Sequence, residues 1–237
     1  MKRPVAIIPA RGGSKRIPRK NIKPFCGRPM IAWSIAAAQS SGLFDAVIVS
    51  TDDEEIAEVS KKFGAEVPFL RPSEIANDHA TTMAVMAHAV RWLNEHRGAV
   101  DIACCIYPTA PFLLPEYLRA GLDLLLADPE AHFAFSVTTY AFPIFRALRL
   151  DDRGRVAMFW PENQEVRSQD LPVACHDAGQ FYWGRGDAFL NQSGIFTSVS
   201  LPVRIPRHLV QDIDEPEDWE MAERMMPSAV LAGVPGV

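Results

Sequence analysis

The chain has 237 residues, 48% of them apolar, with 19 Pro and 14 Gly, which is enough for one large domain and excludes a disordered or fibrous protein. No uninterrupted apolar run approaches the ~18 residues of a membrane span, and Val5 to Ile8 falls short of the ~7–15-residue core of a signal peptide, so a soluble cytoplasmic protein without export is expected. The net charge of −5 conceals an asymmetry: residues 1–44 hold nine Lys or Arg and no acid, and the remainder holds 15 basic against 29 acidic residues, giving +9 and −14.

Val5 to Ile8, closed by Pro9 and the Gly12-Gly13 pair, reads as a buried strand emptying into a loop that runs to about Arg28. Pro29 opens a first helix through Met30, Ile31, Trp33 and Ile35, stopped by Gly42. Residues 45–50 form a second strand, and Thr51-Asp52-Asp53-Glu54 supplies caps and acids for a helix ending at Gly64. Four acids opening a helix favour its dipole over a metal site. Ala65 to Leu70 is predicted as a third strand, Thr81 to His96 as an amphipathic helix, Asp101 to Ile106 as a fourth strand and Pro115 to Ala127 as another helix. This alternation predicts a parallel α/β sheet.

The pattern then changes to short strand-like runs at 133–138, 145–150, 156–160, 178–183 and 198–203, with a helical turn at 186–191. An antiparallel insertion at about 140–178 is expected to interrupt the sheet before a strand at Leu209 to Ile213 and a helix at Glu215 to Met226 complete it. Residues 1–227 then form a single domain, and 228–237 a flexible tail. Cys26, Cys104, Cys105 and Cys175 lack metal-ligand spacing, and alternation sends the adjacent Cys104 and Cys105 to opposite faces. Trp33, Trp92 and Trp219 read as core or interface residues, and His79 and His88 as surface or packing residues.

Function concentrates in the loop. From Arg11 to Lys23 six cations occupy thirteen residues directly after a buried strand, the place where open α/β sheets bind ligands. Gly12 and Gly13 let the backbone turn with its N–H groups exposed, and Arg11, Lys15, Lys20 and Lys23 can surround the oxygens of a triphosphate. Neither GxGxxG nor GxxxxGK[ST] is present, which removes the motifs of hydride transfer and P-loop ATPases. A nucleic-acid binder would be basic overall with aromatic residues among its cations, so no nucleic acid is expected as partner. Near the other end, Asp212-Ile213-Asp214 alternates along an expected strand end, a spacing suited to a hard cation. Asp214, followed by Glu215-Pro216-Glu217, also reads as a helix N-cap.

The string IIPARGGSKRIPRKNIKPFCGRPMIAWSI resembles the N-terminal signature of the cytidylyltransferases that activate nonulosonic acids, the family of CMP-sialic acid synthetase. The blocks VIVSTDDEEIAEVSKKFGAEVPFLRPSEIANDHATT, YPTAPF, HDAGQFYWG and QDIDEPEDW extend the likeness over nearly the whole chain. Within the family, Arg16 in place of the usual glycine, YPT in place of QPT, and HDAGQFYW resemble the pseudaminic acid branch. The resemblance implies a Rossmann-like nucleotidyltransferase fold, three-layer α/β/α with an inserted antiparallel dimerisation arm, acting as a homodimer. It implies a Mg²⁺-dependent attack of the sugar's anomeric hydroxyl on the α-phosphate of CTP.

Matched to that family, Ala10, Arg11, Gly12, Gly13, Ser14, Lys15 and Lys20 would hold the triphosphate, and Asn21 would lie beside the α-phosphate and ribose. Arg71 and Thr82 would read cytosine, with Thr81 an equal neighbour to Thr82. Lys20, Arg11, Asp212 and Asp214 would be catalytic, with Asp212 and Asp214 holding the metal. Tyr107, Thr109, His176, Gln180 and Tyr182 would face the sugar, and Arg146 or Arg167 its carboxylate. A hairpin turn at Asp177 to Gly179 before a core aromatic strand is the structural reading of the same block. Sialic, legionaminic and 3-deoxy octulosonic acids are alternative acceptors, and a noncatalytic nucleotide-binding module is the alternative of another class.

Overall fold

The structure is a computed structural model that describes residues 4–77, 80–228 and 230. Three parallel strands, β1 (Val5–Pro9), β4 (Ala46–Ser50) and β5 (Ile102–Ile106), form one half of a six-stranded sheet. Their apolar runs are buried on both faces, as strands covered by helices require. Between β1 and β4 lie the two-residue strands β2 (Pro24–Phe25) and β3 (Arg28–Pro29) and helix α1 (Met30–Ser41). Pro29 precedes α1, and Gly42 closes it at φ 63°, donating its N–H to Gln39 O. Helix α2 (Glu54–Lys62) follows β4, and α3 (Thr82–Arg97) leads into β5.

Helix α4 (Pro115–Ala127) leads to β6 (Phe133–Thr139), and a hairpin of β7 (Leu148–Leu150) and β8 (Val156–Met158) stands apart from the main sheet. The long strand β9 (Cys175–Arg185) returns between β5 and β6, antiparallel to both. Then α5 (Gly186–Leu190), β10 (Ser200–Arg204) and α6 (Pro216–Met225) complete the chain, with β10 parallel to β6. Across the sheet the order is β4-β1-β5-β9-β6-β10. Helices α1, α2, α4 and α6 pack one face through residues such as Ile35, Ile56, Leu118 and Trp219. The other face is covered by α3 and α5, through Met86, Val90 and Phe189. This is the expected three-layer α/β/α arrangement. Cys104 lies in the first layer of core and Cys105 in the second, on opposite faces.

Two expected strands do not form. Ala65 to Leu70 touches β4 only through single bridges from Glu66 to Ile48 and from Leu70 to Thr51. Pro68 lies between them and lacks the N–H a ladder needs. Leu209 to Ile213 is likewise irregular, with a short helical turn at Arg207–Leu209 followed by unpaired chain. Asp212 and Asp214 therefore lie on a loop leading into α6 rather than at a strand end. The expected hairpin turn at Asp177 to Gly179 is instead a bulge inside β9. Between its pairs with Phe135 and Val137 the strand takes extra residues, and Gly179 there adopts φ 62°. Trp33 and Trp219 are buried in the core. His79 lies outside the described residues, as does most of the tail, of which Ser228 and Val230 are described and Val230 is buried.

Candidate active site

The C-terminal ends of β1, β4, β5 and β6 open on one rim of the sheet, where such folds take ligands. Because β9 runs the other way, it brings its first half, Cys175 to Gln180, to the same rim. Two adjoining cavities lie there, of about 590 and 470 Å³, with Tyr107 and Thr109 forming part of the wall of each.

The first cavity collects the loop after β1. Arg11, Lys15, Arg16, Lys20 and Arg71 line it against one carboxylate, Asp214, so it suits a polyanion. Ser14, Asn21 and Thr82 line it too. Asn21 is buried and donates from Nδ2 to Arg11 O at 2.9 Å, which ties the two ends of the loop together. The cation and acid clusters from opposite ends of the chain meet here. Lys20 Nζ lies 2.7 Å from Ile213 O and 3.2 Å from Asp214 Oδ1, and Arg16 Nη2 lies 2.6 Å from Asp214 Oδ2. Partial burial opposes the charge on Asp214, but hydrogen bonds from Arg16 and Lys20 outweigh it and hold the carboxyl below its usual range. Burial, and then the charge of Asp214, pushes Asp212 up.

The glycines serve differently from expectation. Gly12 N donates to Asp52 Oδ1 at 3.0 Å, and neither Gly12 nor Gly13 has a positive φ. A Cβ at Gly12 would meet Asp53 Oδ2 at 2.7 Å, so glycine is required there by close approach. Arg19 in the loop is left-handed, at φ 56°, and its guanidinium grips Asp53 and Glu55. Asp53 also caps α2 by accepting from Ile56 N at 2.9 Å, which confirms the structural reading of the acidic quartet. Ala10 is buried beneath the loop, donating to Ser50 O. Lys23 leaves the group expected around a triphosphate: its Nζ lies 4.4 Å above the ring of Trp219.

Two further expectations are resolved. The cap of α6 is Glu215, whose N–H donates to Asp218 Oδ2 at 2.8 Å, so Asp214 is not the cap and turns to the cleft. Of the adjacent threonines, Thr81 caps α3 by accepting from Ala84 N at 3.1 Å, whereas Thr82 Oγ1 lies 2.9 Å from the Tyr107 hydroxyl and faces the cavity. Arg71 is 6% exposed and bonded to Ser50 Oγ and the Ser50 carbonyl. Burial lowers its pKa to about 10, so it remains charged at neutral pH.

The second cavity is lined by His176, Asp177, Gln180, Tyr182, Gln211 and Asp212, among others, and by no Arg or Lys among the described residues. Arg146 and Arg167 do not reach it, and Arg167 pairs with Asp170 at 2.7 Å. Gln180 is buried, donates from Nε2 to Leu209 O and leaves Oε1 without a partner. His176 Nδ1 lies 2.8 Å from Asp177 O. Tyr182 donates to Asp177 Oδ2, and Asp177 Oδ1 accepts from Gly179 N at 2.9 Å. Burial, first, and then the neighbouring Tyr107 and Asp177 charges push the Tyr182 hydroxyl far up, so it acts as a donor. Sequence reasoning passed over Asp177 as a site residue. Its signal was an Asx two places before a glycine, the spacing of a side chain that bonds the backbone ahead of it.

Comparison with known proteins bears on this cleft. The family model described as cytidylyltransferase matches residues 5–231. A pseudaminic acid cytidylyltransferase of Campylobacter jejuni is 44% identical over 92% of this chain and 94% of its own length. A Helicobacter pylori protein, named as a pseudaminic acid cytidylyltransferase and UDP-2,4-diacetamido-2,4,6-trideoxy-beta-L-altropyranose hydrolase, is 35% identical over 89% of this chain and 40% of its own length. The solved structure of CMP:2-keto-3-deoxy-manno-octonic acid synthetase complexed with CTP shares the fold, with a TM-score of 0.71 and 19% identity over 96% of this chain and 100% of that one.

Proposed function

This chain belongs to the cytidylyltransferase family, and on that premise we propose that it joins the cytidylyl group of CTP to pseudaminic acid, giving CMP-pseudaminic acid and pyrophosphate. One observation carries the reading: Lys20 of the basic loop and Asp214 of the acidic segment meet at 3.2 Å on the rim of the sheet. Nothing in a purely structural loop requires paired carboxylates opposite a cationic cradle. The choice of acceptor is supported by the relatives named for pseudaminic acid, at 44% and 35% identity.

In this reading Arg11, Ser14, Lys15 and Lys20 bind the triphosphate in the first cavity, while Arg71 and Thr82 meet the base. Displacement at phosphorus depends on charge neutralisation and in-line positioning more than on covalent chemistry, so fixed cations are the main catalytic resource. Lys20, fixed by Ile213 O, stands where negative charge grows on the α-phosphate. The acceptor lies in the second cavity against Tyr107, Thr109, His176, Gln180 and Tyr182, and its anomeric hydroxyl faces the phosphate at the wall the cavities share. The buried, unpartnered Gln180 Oε1 offers an acceptor for an amide or hydroxyl hydrogen.

The two aspartates fit a hard divalent cation, which uses one or two carboxylates plus substrate phosphates and keeps several waters. Asp212 lines the second cavity and Asp214 the first, so a cation held by them would sit where the two cavities adjoin. We assign Mg²⁺ to them; when bound it neutralises phosphate charge and lowers the pKa of a hydroxyl beside it. We also place the reaction in the cytoplasm, with CTP and the sugar acid as partners, and propose a homodimer. The hairpin of β7 and β8 exposes Leu148, Leu150 and Val156, an apolar face a second copy would cover.

The test is Mg²⁺-dependent release of pyrophosphate from CTP with pseudaminic, legionaminic, sialic and 3-deoxy octulosonic acids. Pseudaminic acid is expected to give the highest kcat/KM, and Lys20→Ala to lower it by roughly 10²–10³-fold. No release with any acceptor would leave a noncatalytic nucleotide-binding module. Wild-type turnover by Asp212→Asn and Asp214→Asn would remove the metal assignment.

A further inference from the structure

Arg16 lines the first cavity beside Lys15 and Lys20, yet its guanidinium is engaged across the cleft. Nη2 lies 2.6 Å from Asp214 Oδ2 and Nη1 lies 3.3 Å from Glu215 Oε1, while Lys20 Nζ holds the other oxygen of Asp214 at 3.2 Å. Both oxygens of Asp214 are thus covered by cations of the loop. A divalent cation binding at Asp214 meets these positive charges at contact distance, so one of them must give way.

The two differ in how firmly they are held. Lys20 is 18% exposed and also bonded to the Ile213 carbonyl at 2.7 Å, a backbone partner that does not move away. Arg16 is 55% exposed, and it pairs with the carboxylates of Asp214 and Glu215, themselves 39% and 56% exposed. Ion pairs so open to water are worth little and exchange readily. A guanidinium released from Asp214 remains in a cavity lined by Arg11, Lys15 and Lys20, and its planar fork matches phosphate oxygens two at a time.

We propose that Arg16 is an exchangeable counter-ion, which competes with a divalent cation for Asp214 and moves onto the terminal phosphates when nucleotide binds, the more completely when the cation binds with it. This rests on the reading of the cleft given above. It makes nucleotide and metal binding mutually reinforcing: nucleotide draws Arg16 off Asp214 and so favours metal, and metal displaces Arg16 toward the nucleotide. It also assigns Arg16 to substrate binding through a route that a bare surface ion pair lacks.

The test uses the full chain and two binding readouts independent of turnover. Mn²⁺ binding without nucleotide is followed by electron paramagnetic resonance of the free ion, and CTP binding without metal by calorimetry, in wild type, Arg16→Gln and Arg16→Lys. Arg16→Gln is expected to bind Mn²⁺ roughly two- to fivefold tighter, the span that an exposed ion pair commands, and CTP about tenfold more weakly. Arg16→Lys keeps the charge and loses the fork, so its Mn²⁺ affinity stays near wild type while CTP affinity falls in part. It carries the test by itself if the glutamine variant fails to fold. Unchanged or weaker Mn²⁺ binding by Arg16→Gln, unchanged CTP binding by it, or wild-type CTP affinity in Arg16→Lys overturns the exchange. If the wild-type chain binds neither CTP nor Mn²⁺, the cytidylyltransferase reading falls with it, whereas wild-type pyrophosphate release with unaltered Arg16 variants overturns this inference alone.

Discussion

Thr81 and Thr82 are joined by one peptide bond, and the helix they begin gives them different partners. Thr81 accepts from Ala84 N, and Thr82 meets the Tyr107 hydroxyl in the first cavity. Substituting each should therefore separate stability from binding. Thr81→Ala is expected to lower unfolding free energy by about 1 kcal/mol, the usual cost of losing a cap, with KM for CTP unchanged. Thr82→Ala should raise that KM with little change in melting temperature. Equal effects on both measures would show that the division does not hold. The sequence offered both threonines on equal terms, because spacing from a motif does not say where a helix starts. The same limit explains Asp214, which the sequence allowed as a cap until Glu215 was found in that place. The cationic residues were easier to read, since a cluster of like charge is stable only where something of opposite charge or open water meets it. Lys23 was the exception, its ammonium resting on the ring of Trp219.

At the level of elements, periodicity found every helix and most strands, and failed at two segments. Residues 209–213 have a strand-like pattern but follow a short helical turn and stay unpaired, and 65–70 is interrupted by Pro68. Helix α3 carries a pH-dependent feature that the sequence left as packing. His88 stands edge-on to Phe69 at 5.0 Å between ring centroids, and its Nδ1 is buried without a partner. Burial, and then the charge of Arg91, lowers its pKa below the usual imidazole value. The unfolded chain then takes up the proton more readily than the folded one, so this contribution to stability is complete above the unfolded value of about pH 6.5 and is lost as pH falls below it through the lower folded value. Urea denaturation midpoints are expected to fall between pH 7.5 and pH 5.5, and His88→Gln to flatten the decline. A decline of the same steepness in the variant would assign it to other groups.

Taken as a whole, the molecule uses its charge asymmetry partly within itself. The basic first segment is held against acids brought from elsewhere, Asp52, Asp53 and Glu55 on one side and Asp214 and Glu215 on the other. Of its other described cations, Arg11 and Lys15 line the first cavity, while Lys23 and Arg28 lie over Trp219 and Trp33. The convergence was legible from the two clusters alone, because a cationic loop after the first strand and acids before the last helix both lie at one end of a parallel sheet. The second cavity was less legible. Its shape depends on a bulge in β9 and on a hydrogen bond from Gly179 to Asp177, neither of which has a repeating pattern.

One consequence follows from the direction of β9. The strand starts where the projecting hairpin segment ends, passes the rim and only then enters the core, so residues 140–180 form a contiguous cassette that gives His176 to Gln180 to the second cavity and no lining residue to the first. Transplanting that cassette from a homologue with a different acceptor should give the recipient the donor's sugar preference while leaving its KM for CTP little changed, because the cassette lines none of the first cavity. Chimeras that keep the recipient's sugar preference would locate selectivity outside the exchanged stretch.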